Sequence, residues 1–119
     1  MLKRLADNWC YFTQGPVALL QKRIEADVAE ELYIYGAGEM GQQLFDAMEE
    51  KHQQRLKGFF DRYAEYRETE IEGVKVYAPK MISDLTRGTI VVASEAYKKE
   101  IVEDLQAIIG DKPIRLITL

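Results

Sequence analysis

Gly36-Ala37-Gly38-Glu39-Met40-Gly41 sits between a short apolar run and an amphipathic stretch, and no other feature restricts the fold of this chain as much. The run before it, Leu32-Tyr33-Ile34-Tyr35, is β-branched and aromatic and stops at the first glycine, so it reads as a buried parallel strand. After the glycines, Met40, Leu44, Phe45 and Met48 recur at helical spacing. Three glycines spaced G-x-G-x-x-G are weak evidence alone. Here they directly follow a predicted strand and open a predicted helix, and an acid, Asp61, stands 20 residues beyond Gly41 at the end of the next predicted strand. Each glycine then has a physical task. Gly36 permits a tight turn, Gly38 lets the backbone approach a diphosphate with no Cβ in the way, and Gly41 allows close helix-to-strand packing. The diphosphate would rest on free N–H groups at the helix start, where partial positive charge is concentrated, so no basic residue is required. Asp61 is placed to accept ribose hydroxyls and to repel a 2′-phosphate. Its neighbour Arg62 is the one residue that keeps NADP open. Glu39 reads as a helix N-terminal acid rather than a ligand contact.

The rest of the pattern supplies the layers. Pro16 suits a first helical turn, and Val17, Leu20, Ile24 and Val28 repeat on one face of a helix of about 14 residues. Upstream, Leu2, Leu5, Trp9 and Phe12 form another helical stripe ending at Gly15, so residues 1–31 read as a helical arm packed on a domain spanning 32–119. Leu56 to Phe60 is a second strand, Arg62 to Glu72 a charged surface loop, and Gly73 to Tyr77 a third strand closed by Pro79. Met81, Ile82 and Leu85 allow a brief helix. Thr89 to Ala93 is a fourth strand, Glu95 to Ile109 a helix with Ile101, Leu105, Ile108 and Ile109 inward, and Ile114 to Leu119 a fifth strand. Strands alternating with helices imply right-handed crossovers. The expectation is an α/β three-layer sandwich with a parallel sheet of about five strands in the order 3-2-1-4-5. That order reverses beside the first strand, which makes the crevice there the default ligand site.

At 119 residues the chain has room for one core and no second domain. Sixteen Lys and Arg against 20 Asp and Glu leave a net charge of -4, without the basic excess that a nucleic-acid backbone demands. The longest apolar runs fall far short of the roughly 20 residues needed to cross a bilayer. Asp7, Asn8 and Trp9 interrupt the N-terminus before a secretory signal can form, and a lone Cys10 rules out an intramolecular disulfide, so a cytoplasmic setting is expected.

Catalytic constellations are scarce. The only histidine, His52, lies in a charged stretch where a solvated role fits best, and one His with one Cys gives no metal-ligand spacing. Cys10 reads as buried packing rather than as a nucleophile. No G-x-S-x-G elbow, Walker lysine or Tyr-x-x-x-Lys pair is present. Ser94 is first a cap for the following helix and second a ligand contact, and Tyr97 is placed to touch a ligand if its turn faces the crevice. The cluster Trp9, Tyr11 and Phe12 packs on its own domain or mediates a homodimer.

The strings Ile34 to Leu44, Gly58 to Asp61 and Ile71 to Tyr77 together resemble the Rossmann-type, CoA-binding-like nucleotide-binding domain of bacterial polysaccharide-biosynthesis proteins. That group includes the leading domains of sugar acetyltransferases and of nucleotide-sugar dehydratases. Ile90 to Ile101 is similar to the strand-to-helix turn of versions attached to glycosyltransferases and sugar methyltransferases. The likeness covers Leu32 to Leu105 and is specific to the group rather than to one activity. It implies nucleotide contacts at Gly36, Gly38, Gly41 and Asp61, with Ser94 at the rim, and catalytic groups in another domain or a catalytic partner. The site expected is therefore Gly36, Ala37, Gly38, Glu39, Met40, Gly41, Asp61, Arg62 and Ser94, binding NAD or a nucleotide sugar ahead of CoA. The expected role is the nucleotide-binding domain of a sugar-nucleotide protein. The alternative is a freestanding nucleotide-sensing or assembly module without catalysis.

Overall fold

The computed structural model describes residues 15–65 and 69–119. Pro16 opens helix α1 (Pro16–Ala26), which buries Leu19, Leu20 and Ile24. It is shorter than its periodicity predicts. Asp27 leaves helical geometry because its carboxylate accepts the Ala29 N–H and two arginines, and Val28, expected on the apolar face, is 91% exposed. The elements that follow are β1 (Leu32–Tyr35), α2 (Glu39–Ala47), α3 (Glu50–Gln53) and β2 (Leu56–Phe60). A 3-10 turn, Arg62–Glu65, leads towards β3 (Thr69–Ile71) and β4 (Val74–Tyr77), and a second 3-10 segment, Pro79–Asp84, precedes β5 (Gly88–Val92). Helix α4 (Lys98–Ile109) and strand β6 (Ile114–Ile117) complete the described chain.

The sheet runs β3-β4-β2-β1-β5-β6. All neighbouring pairs are parallel except β3 with β4. It differs from the five-strand expectation in count and in order, because the stretch read as a charged loop contributes an antiparallel edge strand. The cause is local. Glu72 at φ 49° and Gly73 at φ 82° place two consecutive residues in the left-handed region, the two-residue turn that joins twisted antiparallel strands. Short, charged Thr69-Glu70-Ile71 shows no sustained alternation, so only its pairing with β4 makes it a strand.

Two layers cover the sheet. On one face α1 and α2 lie side by side and bury Leu20, Ile24 and Leu44 against Ile34, Phe59 and Val91. On the other, α4 and the Pro79–Asp84 segment bury Leu105 and Ile82 against Phe60, Ile90 and Val92. Each such side chain, removed from water, contributes about 1.5–3 kcal/mol of transfer free energy. Alternation along β1, β2 and β5 thus feeds both cores, which is why these strands read as continuous apolar runs. Helix α4 begins three residues later than predicted. Residues 94–97 form a turn in which Ser94 Oγ accepts the Tyr97 N–H at 3.3 Å. Ile108 is 37% exposed rather than part of the inner face. Among the described residues no helix is long and apolar enough to cross a membrane, and no group of His, Cys, Asp and Glu is arranged to hold a metal.

Candidate functional site

Because β1, β2, β4 and β5 are parallel, their carboxyl ends meet at one edge of the molecule, where the glycine-rich turn, Asp61, Ala78 and Ala93 follow them. The three motif glycines are there for different reasons. Gly36 has φ 115°, donates its N–H to Phe60 O at 2.8 Å, and would bring a Cβ to 3.0 Å from Ala93 O. Only glycine takes that conformation without strain. A Cβ on Gly41 would stand 1.8 Å from Gly36 O, so the first turn of α2 packs directly on the loop backbone. The packing itself requires both residues. Gly38 differs, because its backbone is extended (φ -80°, ψ -160°) and a Cβ there would meet nothing within 4 Å. The space in front of Gly38 is open, at the end of α2 where first-turn N–H groups have no intrahelical acceptor.

The neighbours hold this turn in shape. Asp61 Oδ2 accepts the Ala37 N–H at 2.8 Å, and Gln42 Nε2 donates to Ala37 O at 2.9 Å. Asp61 is therefore tied to the loop itself, beyond the ribose contact that sequence suggested. Glu39 is exposed and accepts Gln43 Nε2 at 3.2 Å along the helix surface, while Met40 packs on the α1/α2 core. Arg62 points elsewhere. Its Nη2 lies 3.9 Å from Asp104 Oδ2 on α4, and the Tyr35 phenol has its pKa raised by burial, with the Arg62 charge acting against that rise. Ser94 is occupied in capping its own turn, and Tyr97 beside it is 64% exposed.

A cavity of about 770 Å³ opens from the glycine turn. Ala37, Gly38, Gln42 and Asp61 form one wall, and the β3–β4 hairpin from Thr69 to Glu72 with Val76 forms the other. Arg62 and Ser94 do not line it. Among the described residues, the charged ones that line it are Asp61, Glu70 and Glu72. Desolvation, together with the charge of nearby Asp46, pushes the Glu72 carboxyl above its ordinary pKa. The hairpin wall is the part of the site that pattern reading missed. A signal was available, since two short runs flanking Glu72-Gly73 fit a two-residue hairpin.

A second polar cluster lies at the opposite, amino ends of the strands. Asp27, 6% exposed, pairs with Arg55 Nη2 at 2.8 Å and Arg115 Nη1 at 3.1 Å and accepts Thr89 Oγ1 at 3.1 Å. Arg55 also donates to Ala29 O and contacts His52 Nδ1 at 3.0 Å. These contacts join α1 to the starts of β2, β5 and β6, with His52 at their edge. Cys10, Trp9, Tyr11 and Phe12 lie outside the described residues.

The fold superposes on the crystal structure of RSP, a Rex-family repressor, with a TM-score of 0.55 and 18% identity. The match takes in 83% of this chain and 56% of that one, so this chain spans little more than half the length of the repressor structure. At this identity the likeness is one of fold. No curated protein matches the chain. Neither the repressor nor the matching family model carries the sugar-nucleotide and polysaccharide link implied by resemblance. The family model for the C2185-like N-terminal domain matches residues 28–114, from the end of α1 to the start of β6, and the chain belongs to that family.

Proposed function

We propose that this chain binds a nucleotide-containing small molecule, NAD before a nucleotide sugar or CoA, in the crevice between the glycine turn and the β3–β4 hairpin. It supplies binding and sensing rather than chemistry. The observation that carries the reading is Gly38. Gly36 and Gly41 are required by packing, whereas a side chain at Gly38 would fill empty space directly before the α2 N-terminus. That space suits a diphosphate on the Gly38, Glu39 and Met40 N–H groups, with Asp61 holding Ala37 and accepting a ribose hydroxyl. The fold shared with a repressor favours the sensing alternative over a catalytic one. In this reading Arg62 and Ser94 make no ligand contact, since Arg62 lies toward Asp104 and Ser94 holds the Tyr97 turn.

The test is thermal unfolding with each of NAD, NADP, CoA and UDP-sugars, in the wild type and in Gly38→Asp, alongside size-exclusion chromatography. A ligand present at about 100 times its Kd stabilises the fold by roughly 2.7 kcal/mol, a shift of several degrees. NAD is expected to give that shift in the wild type only, with a change in oligomeric state. Absence of a shift with every ligand would overturn the nucleotide reading. A shift without any change in assembly would remove sensing through assembly and leave binding.

A further inference from the structure

We propose that an aromatic pocket on the α4 face of the sheet receives Trp9 from a second copy of this chain, so that two copies exchange their N-terminal segments. This is independent of the nucleotide reading above. Tyr33, Phe60 and Tyr77 stand in a row across β1, β2 and β4, with neighbouring ring centroids 5.3 Å and 6.1 Å apart. A Cβ on Gly58 would lie 2.6 Å from the Tyr77 ring, so that ring rests on the β2 backbone and the row forms a floor. A cavity of about 420 Å³ opens above it, walled by Met81 and Leu85 and rimmed by Glu31, Asp84 and Lys57. Among the described residues, none of α4 lines it. The connection from β4 to β5 runs as the 3-10 segment Pro79–Asp84 where a doubly wound fold lays a full helix, and Met81 on that segment is 41% exposed.

The occupant is argued from sequence and from reach. Leu2, Leu5, Trp9 and Phe12 make an apolar stripe upstream of Gly15, outside the described residues. An indole suits the pocket on two counts. Its face extends a cluster of rings, and its N–H, a donor only, finds acceptors in the Glu31 and Asp84 carboxylates at the rim. Helix α1 ends beside the amino ends of the strands, where Asp27 meets Thr89, so Gly15 begins it at the carboxyl edge and on the face opposite the pocket. The pocket lies towards the amino ends, where Glu31 precedes β1 and Lys57 stands early in β2. The six residues from Trp9 to Gly15 span about 20 Å at full extension. Rounding the edge of a molecule of 40 × 32 × 28 Å and returning along its other face takes more than that. A second copy has no such limit, and a two-fold pair lets each segment fill the other's pocket.

Trp9 is the only tryptophan, so the intrinsic fluorescence of the full chain reports on it alone. The wild type is expected to emit at shorter wavelength than in denaturing urea and to sediment as a dimer. Met81→Glu and Met81→Ser, at an exposed wall position, and Trp9→Ala should each weaken the dimer at least about tenfold. Emission of the two Met81 variants should move towards the urea position. Val28→Ser, at an exposed apolar residue elsewhere, should change neither readout. Mixing decides the exchange: Met81→Glu keeps Trp9 but blocks its own pocket, so a large excess of Trp9→Ala, which has the pocket and no tryptophan, should return the emission to shorter wavelength. Circular dichroism establishes that each variant is folded. A monomeric wild type, wild-type emission already at the urea position, or emission unmoved by both Met81 variants overturns the proposal. A mixture without recovery overturns it too, because Trp9 is then not received by a second copy.

Discussion

Asp61 accepts the Ala37 N–H through Oδ2 at 2.8 Å, and its own N–H donates to Tyr77 O at 3.0 Å, so one residue links the glycine turn after β1 to the end of β4. A hydrogen bond to an ionised acceptor is worth about 1.5–3 kcal/mol when partly shielded. Asp61→Ala is expected to lower the urea-unfolding free energy by about 1–2 kcal/mol, and Asp61→Asn, which keeps an acceptor oxygen, by less than half of that. Equal losses in the two variants would show that the Ala37 contact is not what Asp61 contributes to stability.

Gly41 and Gly38 should respond oppositely to the same change. Gly41→Ala places a methyl 1.8 Å from Gly36 O, and it is expected to destabilise the fold by about 3 kcal/mol because backbone must move. Gly38→Ala meets nothing within 4 Å and should change stability by less than about 1 kcal/mol. Thermal melts of the two variants decide it, and a Gly38→Ala loss as large as that of Gly41→Ala would mean that Gly38 too is a packing residue.

Asp27 makes an acid-side prediction. Burial raises its carboxyl pKa, but hydrogen bonds from Arg115, the Ala29 N–H and Thr89, with the Arg55 charge, outweigh burial and hold it below the ordinary 3.8. The stabilisation from a depressed carboxyl is complete above the unfolded value and is lost as the pH falls through the folded one. Stability should therefore fall below pH 3.8, and Asp27→Asn should flatten that part of the profile. At neutral pH, Asp27→Ala leaves the part-buried Arg55 without its carboxylate and should cost about 3–5 kcal/mol. A wild-type pH profile matching that of Asp27→Asn below 3.8 would contradict the linkage.

The hairpin turn offers a stabilising change. Glu72 at φ 49° precedes Gly73 at φ 82°, and asparagine accepts the left-handed region better than glutamate. Glu72→Asn also removes a like charge facing Asp46. The unfolding midpoint is expected to rise by about 2–4 °C, checked by differential scanning calorimetry. A lower midpoint would indicate that the Glu72 side chain makes a contact worth more than the backbone strain.

Sequence alone determined the alternation of apolar strands with amphipathic helices and the glycine turn after β1, because these depend on periodicity and local backbone freedom within about ten residues. Leu32–Tyr35 and Leu56–Phe60 were legible to the residue, since strands fed by both cores are apolar throughout. Asp61 was found from its distance to Gly41. What only tertiary structure decided were relations between distant segments: Thr69-Glu70-Ile71 becomes a strand by pairing with β4, and α1 stops at Ala26 because Asp27 finds Arg55 and Arg115 far along the chain. Arg62 belonged by sequence to the ligand site, yet its guanidinium lies toward Asp104 on α4. A charge seeks its partner in space, and periodicity carries no record of which partner the fold will bring near.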